Sequence, residues 1–468
     1  MNLSILQIAL ELAKEICERA KKGEIKELDI MAESVLNDCK DAAVEMIEVI
    51  IYTMNEDIRK DKRGRKEQGL VLKEKDRPRQ ILTHLGMIDF KRDYFYDKKE
   101  ECHTNILDKM LGIDKYERVG GAVSADLVSR AAECSYAKST DIVTGGEVSR
   151  QTVRNQILKL SLPEVEPREE EKSVKELHIY ADEDHAHMQR PGKVKGKKSK
   201  IVPLVTVTEG TYTKSKRRNT TINPMHFSTE DFSTSKLWKR VEGYLWKAYD
   251  LENVESIYVH GDGGGWIEKG LEDLPQTVHV MDGYHFHKHL RAMCSMLRKK
   301  NISFVVLRAL EKNDRRYADK YMQGLLDETA EKEKREKIAE FAGYLFGNWE
   351  EIRRRIVEDI PGSCTEGLIS HTLSERISRN PMGWSDAGLG KVVSARLYIK
   401  NGGKITKESF ARNDKGNYSD YADRIIEERV KGVFDFSLFE EKNREIMDTS
   451  EPIQILMKRA GQMRSILS

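Results

Sequence analysis

Asp182, Asp262 and Glu366 are the residues of this chain whose types and settings could do chemistry together. Asp182 ends the alternating apolar run Leu177, Ile179, Ala181 in ELHIYADEDHAHMQ. Asp262 ends the apolar run of ESIYVHGDGGGWI, with glycine on both sides. Glu366 opens a predicted helix in PGSCTEGLISHTLSERI. Two carboxylates at strand ends and a third on a later helix are hard oxygen donors, suited to Mg²⁺ or Mn²⁺. Two such ions about 4 Å apart activate an attacking oxygen and stabilise the leaving one in phosphoryl transfer. The expectation is two Mg²⁺ or Mn²⁺ ions held between Asp182, Asp262 and Glu366.

Each residue has a plainer reading. Asp182 could belong to a solvated acidic turn, although a carboxylate ending a buried strand is costly without a cation. Strand alternation puts Asp184 on the face of Asp182 and Glu183 on the other, so Asp184 could assist or replace Asp182. Asp262 could cap the helix that follows it. Glu366 could simply favour the positive end of its helix. A nucleotide loop fits less well, because GxGxxG and a P-loop lysine are both missing. Downstream, DGYHFHKH carries Asp282, His285, His287, Lys288 and His289. His285 and His289 share a helix face and could bind a transition metal, but no third nitrogen or sulfur ligand stands at useful spacing. The expectation is a polar cluster beside the carboxylates, with Asp282 and His285 contacting phosphate or orienting a carboxylate.

The surrounding elements must position these groups. The chain has 468 residues, 34% charged, with net charge +2, enough for several domains with real cores. Six scattered cysteines without a CxxC pair argue against a zinc ribbon or a disulfide framework, and a reduced cytoplasmic setting is expected. No apolar run approaches the roughly 20 residues of a membrane span.

Residues 1–66 read as an N-terminal helical region, with Leu3, Leu6, Leu10, Ala13 and their neighbours at helical spacing. KDKRGRKEQG reads as a basic linker. Residues 67–165 read as a DNA-binding region. It combines a hairpin in RQILTHLGMIDFKRDYFY with a helix-turn-helix in which Ser149 caps the second helix and Arg150, Gln151 and Arg154 lie near its start. An ordinary helical pair is the competing reading. The proline- and charge-rich PEVEPREEEKSVKE reads as a linker.

Residues 166–290 read as the first part of a catalytic core. Strands at 176–189, 200–208 and 218–227 precede a helix at 231–250, a strand at 254–260 and a strand ending at Asp282. The order β-β-β-α-β-α-β-α is a ribonuclease-H-like α/β arrangement with a mixed sheet. Residues 291–360 read as a helical insertion, 361–403 as the last part of the core with the Glu366 helix, and 404–468 as a polar helical tail. Lys193, Lys195, Lys197 and Lys198 in the turn RPGKVKGKKSK are candidate phosphate contacts.

At this point a resemblance enters. YADEDHAHMQ, HGDGGGWI, MDGYHFHKHL and CTEGLISHTLSERISRNPMGWS, in this order, resemble bacterial insertion-sequence transposases similar to the Mutator-like superfamily of DDE transposases. The likeness extends to the hairpin and to VSRQTV. It implies a ribonuclease-H-like core interrupted by helices, with the family's acidic triad on Asp182, Asp262 and Glu366. Where that superfamily has Cys-x-x-His, this chain reads DGYH, with Asp282 at the cysteine position and His285 keeping the histidine. The implied activity is strand cleavage and strand transfer on double-stranded DNA, at element ends and target, by a homo-oligomer assembled on DNA. Two alternatives stay open: a ribonuclease-H-like nuclease or resolvase that does not join strands, and a non-enzymatic DNA-binding regulator.

Overall fold

The structure, a computed structural model, describes residues 5–23, 27–167, 170–189, 199–215, 218–272, 274, 276–299, 301–358, 360, 364–380 and 382–411. Lys193, Lys195, Lys197 and Lys198 lie outside these residues, as does the polar tail from residue 412 onward. The chain divides into two compact units, which break between Ser124 and Ala125.

The first unit begins with α1 (Ile5–Lys22), α2 (Leu28–Lys60) and α3 (Lys62–Gln68). The segment read as a basic linker is α3. Asp61 caps it, accepting a hydrogen bond from the Gly64 N–H at 2.9 Å, and one glycine costs too little to prevent a helix. A three-stranded sheet follows, made of β1 (Leu70–Leu82), β2 (Met87–Asp97) and β3 (Cys102–Thr104), in that order, and then the short α4 (Ile106–Met110). The strand begins at Leu70, well before Arg79. It runs through Pro78 because β1 is an edge strand, where a missing N–H is tolerated. Ile51 and Ile58 of α2 pack on Ile81, Ile88, Phe90 and Phe95 of the sheet. Asp93, fully buried, is held by Arg59 and Asn55, and the Arg59 guanidinium keeps its carboxyl below the usual range despite burial.

In the second unit, α5 (Gly121–Ala131, within the unit from Ala125), α6 (Tyr136–Thr144) and α7 (Arg150–Leu158) come first. Ser149 caps α7, accepting from the Thr152 N–H. Arg150 and Gln151 are exposed, Arg154 is half-buried, and Val153 and Ile157 anchor the inner face.

The main sheet is mixed and five-stranded. Its members are β4 (Glu176–His187), β5 (Ser199–Thr208), β8 (Met225–Phe227), β9 (Ser256–Gly261) and β10 (Thr277–Met281), in the order β10-β9-β4-β5-β8. β4, β9 and β10 run parallel, while β4-β5-β8 is an antiparallel meander. The strand expected at 218–227 is divided: β7 (Arg218–Thr221) pairs with β6 (Thr211–Ser215) in a separate ribbon, and only β8 joins the sheet. Asn223, in the left-handed region at φ 46°, and Pro224 break the run.

One sheet face carries Leu177, Ile179, Ala181, Ile257 and Val259 and is covered by α8 (Thr234–Ala248) through Leu237, Val241 and Leu245. After β9 comes α9 (Gly265–Glu268), and after β10 come α10 (Gly283–Leu297), α11 (Asn301–Glu311), α12 (Arg315–Glu328), α13 (Lys332–Gly347) and α14 (Trp349–Val357). These helices have their own core, from Met281 and Phe286 to Leu345 and Ile352. The helical stretch starts directly at the end of β10, at Gly283 rather than at 291. Then α15 (Thr365–Ile369) passes through a π-type turn at Ser370–Ser374 into α16 (Glu375–Ile377), and α17 (Asp386–Lys400) closes the unit.

Gly390 of α17 lies against the backbone of Glu230, where an added Cβ would fall inside contact distance of the carbonyl oxygen. Gly243 of α8 faces open space. Helix propensity alone favours alanine by about 1 kcal/mol at both, but forced backbone separation costs about 1–3 kcal/mol at the first. Gly243→Ala is therefore expected to stabilise and Gly390→Ala to destabilise. Urea unfolding of both variants checks the opposite signs.

Candidate metal centre

The second sheet face carries the candidate site residues. His178 and Tyr180 of β4 lie beside Tyr258 and His260 of β9, all on the side away from α8. His178, Tyr180 and His260 are nearly inaccessible. His178 Nδ1 stands 3.1 Å from His260 Nε2, and the Tyr180 ring stacks on His260 at 4.6 Å between centroids. Burial keeps both imidazoles neutral, moving His178 down to about 4 and His260 well below its usual value. This stack is the buried floor of the site.

The register explains what lies at its end. Tyr180 pairs with His260, and His260 with Val280. Two residues further on and on the same face come Asp182, Asp262 and Asp282. Asp262 and Asp282 directly follow β9 and β10, whereas Asp182 does not end its strand as the apolar run suggested: it lies inside β4, just past the parallel pairing with β9, because pairing with β5 carries β4 on to His187. The hydrogen bond from the Asp282 N–H to the Gly261 carbonyl, 2.7 Å, continues this row past the ladder. Asp282 is buried, and its side chain caps α10 by accepting from the Tyr284 N–H at 2.7 Å. Asp262 accepts from the Gly264 N–H at 2.9 Å, in a turn that needs Gly263 at φ 86°. Asp182 accepts from the Glu183 N–H at 2.8 Å. Burial, reinforced by the charges of Asp262 and Asp282, pushes the Asp182 carboxyl up to about 6, against the opposing effects of that N–H and of His285.

Among the described residues, Asp182, His285 and Glu366 have donor atoms within 4.8 Å of one another, a spacing that could hold a metal ion. The donor set is two carboxylates and an imidazole. A buried carboxylate beside two others, with an imidazole nitrogen lacking a hydrogen-bond partner, fits a cation. The structure thus brings Asp182 and Glu366 together across a long stretch of sequence and sets Asp262 on the adjacent strand end. It differs from the sequence reading in two respects: His285 stands in the group with Asp182 and Glu366, rather than behind it, and Asp262 is not among the donors that come within 4.8 Å of one another. His289 points elsewhere, its ring against Tyr344 at 4.8 Å, so the two histidines do not form a shared chelate.

Asp184 has a different task. Its Oδ2 accepts from Ser378 Oγ at 2.8 Å and its Oδ1 from the His185 N–H at 2.7 Å, so both oxygens are engaged. The Ser378 bond docks the segment after α16 onto β4. The Trp384 backbone adds to this docking, donating to His187 O at 2.9 Å and accepting from the Gln189 N–H at 2.8 Å.

Sequence reasoning missed two buried arginines that fix the Glu366 helix. Arg376 donates to the Ala131 carbonyl at 2.8 Å and lies over the Trp384 ring. Arg396 donates to the carbonyls of His371, Thr372 and Ala132. Both thereby also cap the carboxyl end of α5, where cations are favoured. No sequence pattern marks a buried arginine, since the acceptors are backbone carbonyls from distant segments.

Fold and site together define a mixed α/β protein with a carboxylate–histidine cluster where the parallel pairing of β4 and β9 ends. The chain belongs to the uncharacterised protein family UPF0236, whose model matches residues 20–414. Similar proteins come from Caldanaerobacter subterraneus subsp. tengcongensis. One UPF0236 protein is 33% identical over 389 residues, covering 83% of this chain and 80% of the relative, and its name joins eleven locus designations. A second is 32% identical over 442 residues, covering 92% of each chain. A third, whose name joins four locus designations, is 32% identical over 438 residues, covering 92% of this chain and 91% of the relative.

Proposed function

We propose that this protein is a DDE-type transposase, cutting DNA at the ends of an insertion sequence and joining them to a target. One observation carries the reading. Asp182 lies within the first strand of a meander, Asp262 follows the fourth strand of the sheet, and Glu366 lies in the first turn of a helix beyond an all-helical insertion, yet the Asp182 and Glu366 donors lie within 4.8 Å. The meander β4-β5-β8, followed by β9 and β10 added in parallel on the far side of β4, supports a ribonuclease-H-like core. The relative with eleven locus designations also suits the reading, since one protein encoded at many loci is what a self-copying element leaves.

Asp182, Asp262 and Glu366 would hold a divalent pair, with His285 beside them. Such a pair supplies Lewis-acid activation of the attacking oxygen and charge stabilisation of the leaving one. The side chains fix geometry. The Gly264 N–H orients Asp262, and His178, Tyr180 and His260 form the buried floor next to the carboxylates. In cleavage, water attacks the phosphorus at the element end, the P–O3′ bond breaks, and a 3′-OH is released. In joining, that 3′-OH attacks a target phosphorus and displaces another 3′-oxygen. No bond to the protein is needed. Exposed Arg150 and Gln151 on α7 are available to duplex DNA, and pairing of two ends calls for at least a dimer.

The test is a plasmid carrying the coding region with its native flanks, incubated with protein and Mg²⁺ or Mn²⁺, with cut and joined ends mapped by sequencing. Asp262→Asn and Glu366→Gln are each expected to lose cleavage while keeping DNA binding in gel-shift assays. Wild-type cutting by either variant removes the assignment. Cutting without joined product leaves a nuclease or resolvase, and binding without any metal-dependent cutting leaves a regulator.

A further inference from the structure

We infer that His285 is itself a metal ligand, through Nε2, and that the centre is a mixed Asp182–His285–Glu366 site preferring a first-row transition dication to Mg²⁺. The inference rests on the metal-binding part of the proposed function and not on strand transfer.

Nε2 of His285 stands 4.0 Å from Asp182 Oδ2, and all three donor atoms lie within 4.8 Å of one another. Ligands with bonds of about 2.1 Å to one ion are about 3 Å apart when adjacent and about 4 Å apart when opposite, so side-chain adjustments of about 1–2 Å bring these three donors onto one ion. Nε2 is also a buried nitrogen without a hydrogen-bond partner. Burying such an atom is costly unless something meets its lone pair. The neighbours facing it are carboxylate oxygens, which like Nε2 are donors to a cation.

The ring is held in place by its helix. Asp282 caps α10, Phe286 and Leu290 anchor the helix in its core, and the Tyr284 ring meets His285 edge-on at 5.6 Å. Mg²⁺ favours an all-oxygen octahedral shell, whereas first-row transition dications accept imidazole.

Mn²⁺ is the probe, because its electron spin reports directly on bound nitrogen. Full-length protein without DNA is loaded with Mn²⁺ and examined by electron spin echo envelope modulation. The wild type is expected to show ¹⁴N coupling and to bind Mn²⁺ at least about 10-fold more tightly than Mg²⁺ in competition. His285→Gln is expected to lose the coupling and about 10- to 100-fold in Mn²⁺ affinity, with an unchanged circular dichroism spectrum. His289→Gln and Glu366→Gln should keep the coupling, the latter with weaker binding.

Bound Mn²⁺ without nitrogen coupling in the wild type, or coupling that persists in His285→Gln, overturns the inference. So does a wild type that binds no Mn²⁺. If the coupling is present but no DNA is cut, the ligand assignment stands and the transposase reading falls. If Mg²⁺ supports cutting through an oxygen-only shell, the reverse holds.

Discussion

Asp182→Asn is expected to abolish strand cleavage and, in the metal-free protein, to raise the melting temperature. The two effects have one cause. The Asp182 side chain is 12% exposed and sits in a row with Asp262 and Asp282. Burial and those neighbouring charges raise its carboxyl from 3.8 to about 6. The native state therefore holds this proton more tightly than the unfolded chain. The contribution to stability is fully present below pH 3.8 and lost as pH rises through about 6. Above that range the ionised carboxylate costs on the order of 3 kcal/mol, which a bound cation offsets.

Asparagine keeps the oxygen that accepts from Glu183 but carries no charge. Its stabilising effect is largest above pH 6 and fades toward pH 4. Cleavage should fall by at least about 10³-fold, since losing a ligand removes several kcal/mol of transition-state stabilisation. Thermal melts of both proteins in chelator, at about pH 7.5 and about pH 4.5, separate this from a packing effect. A variant no more stable than wild type at the higher pH contradicts the electrostatic account. Wild-type cleavage contradicts the role as a ligand.

Arg396→Met is expected to be the most destabilising single change among the residues that position Glu366. The π-type turn at Ser370–Ser374 leaves carbonyls displaced from a regular helical ladder. Arg396, its side chain 5% exposed, meets those of His371 and Thr372, adds Ala132 from α5, and pairs with Glu375 at 3.3 Å. Methionine fills similar volume but donates nothing. Each buried carbonyl left without a donor costs about 1–3 kcal/mol, so a loss of about 3–5 kcal/mol is expected.

Arg396→Lys should recover only part of it, because one ammonium lacks the planar fork that reaches several carbonyls. Arg379→Met is the control, an arginine 58% exposed where a change within about 0.5 kcal/mol is expected. Guanidinium unfolding measures all three. A loss below about 1 kcal/mol for Arg396→Met would mean that the turn is held by other contacts. Cleavage should fall along with stability, because α15 carries Glu366 and continues directly into the turn that Arg396 holds.

Legibility in the sequence followed locality. The alternation of Leu177, Ile179 and Ala181, the Ser149 cap and the uninterrupted helical texture after Asp282 all report short-range forces, and each has its element in the structure. The mixed α/β class was readable for the same reason. The division of 218–227 was less so, because Asn223 and Pro224 act through a backbone break that apolar patterning does not register. The extension of β1 through Pro78 depended on knowing that β1 is an edge strand, which only pairing reveals.

Chain chemistry alone therefore determined that Asp262 follows a strand and that a helix begins beside Glu366, but not that β4 continues five residues beyond Asp182. It also placed DGYH at a strand-to-helix junction. Tertiary structure decided which of these side chains meet. Parallel pairing of β4, β9 and β10 turned three separate aspartates into one row on one face. The Ser378–Asp184 bond and the Arg376 and Arg396 contacts brought Glu366 back to Asp182. The first turn of α10 placed His285 with them, while His289, one turn later, went to Tyr344. The physical reason is that hydrophobic periodicity reports the burial of each element. Convergence of donors depends on strand register and on hydrogen bonds between residues far apart in sequence, and no local pattern encodes those.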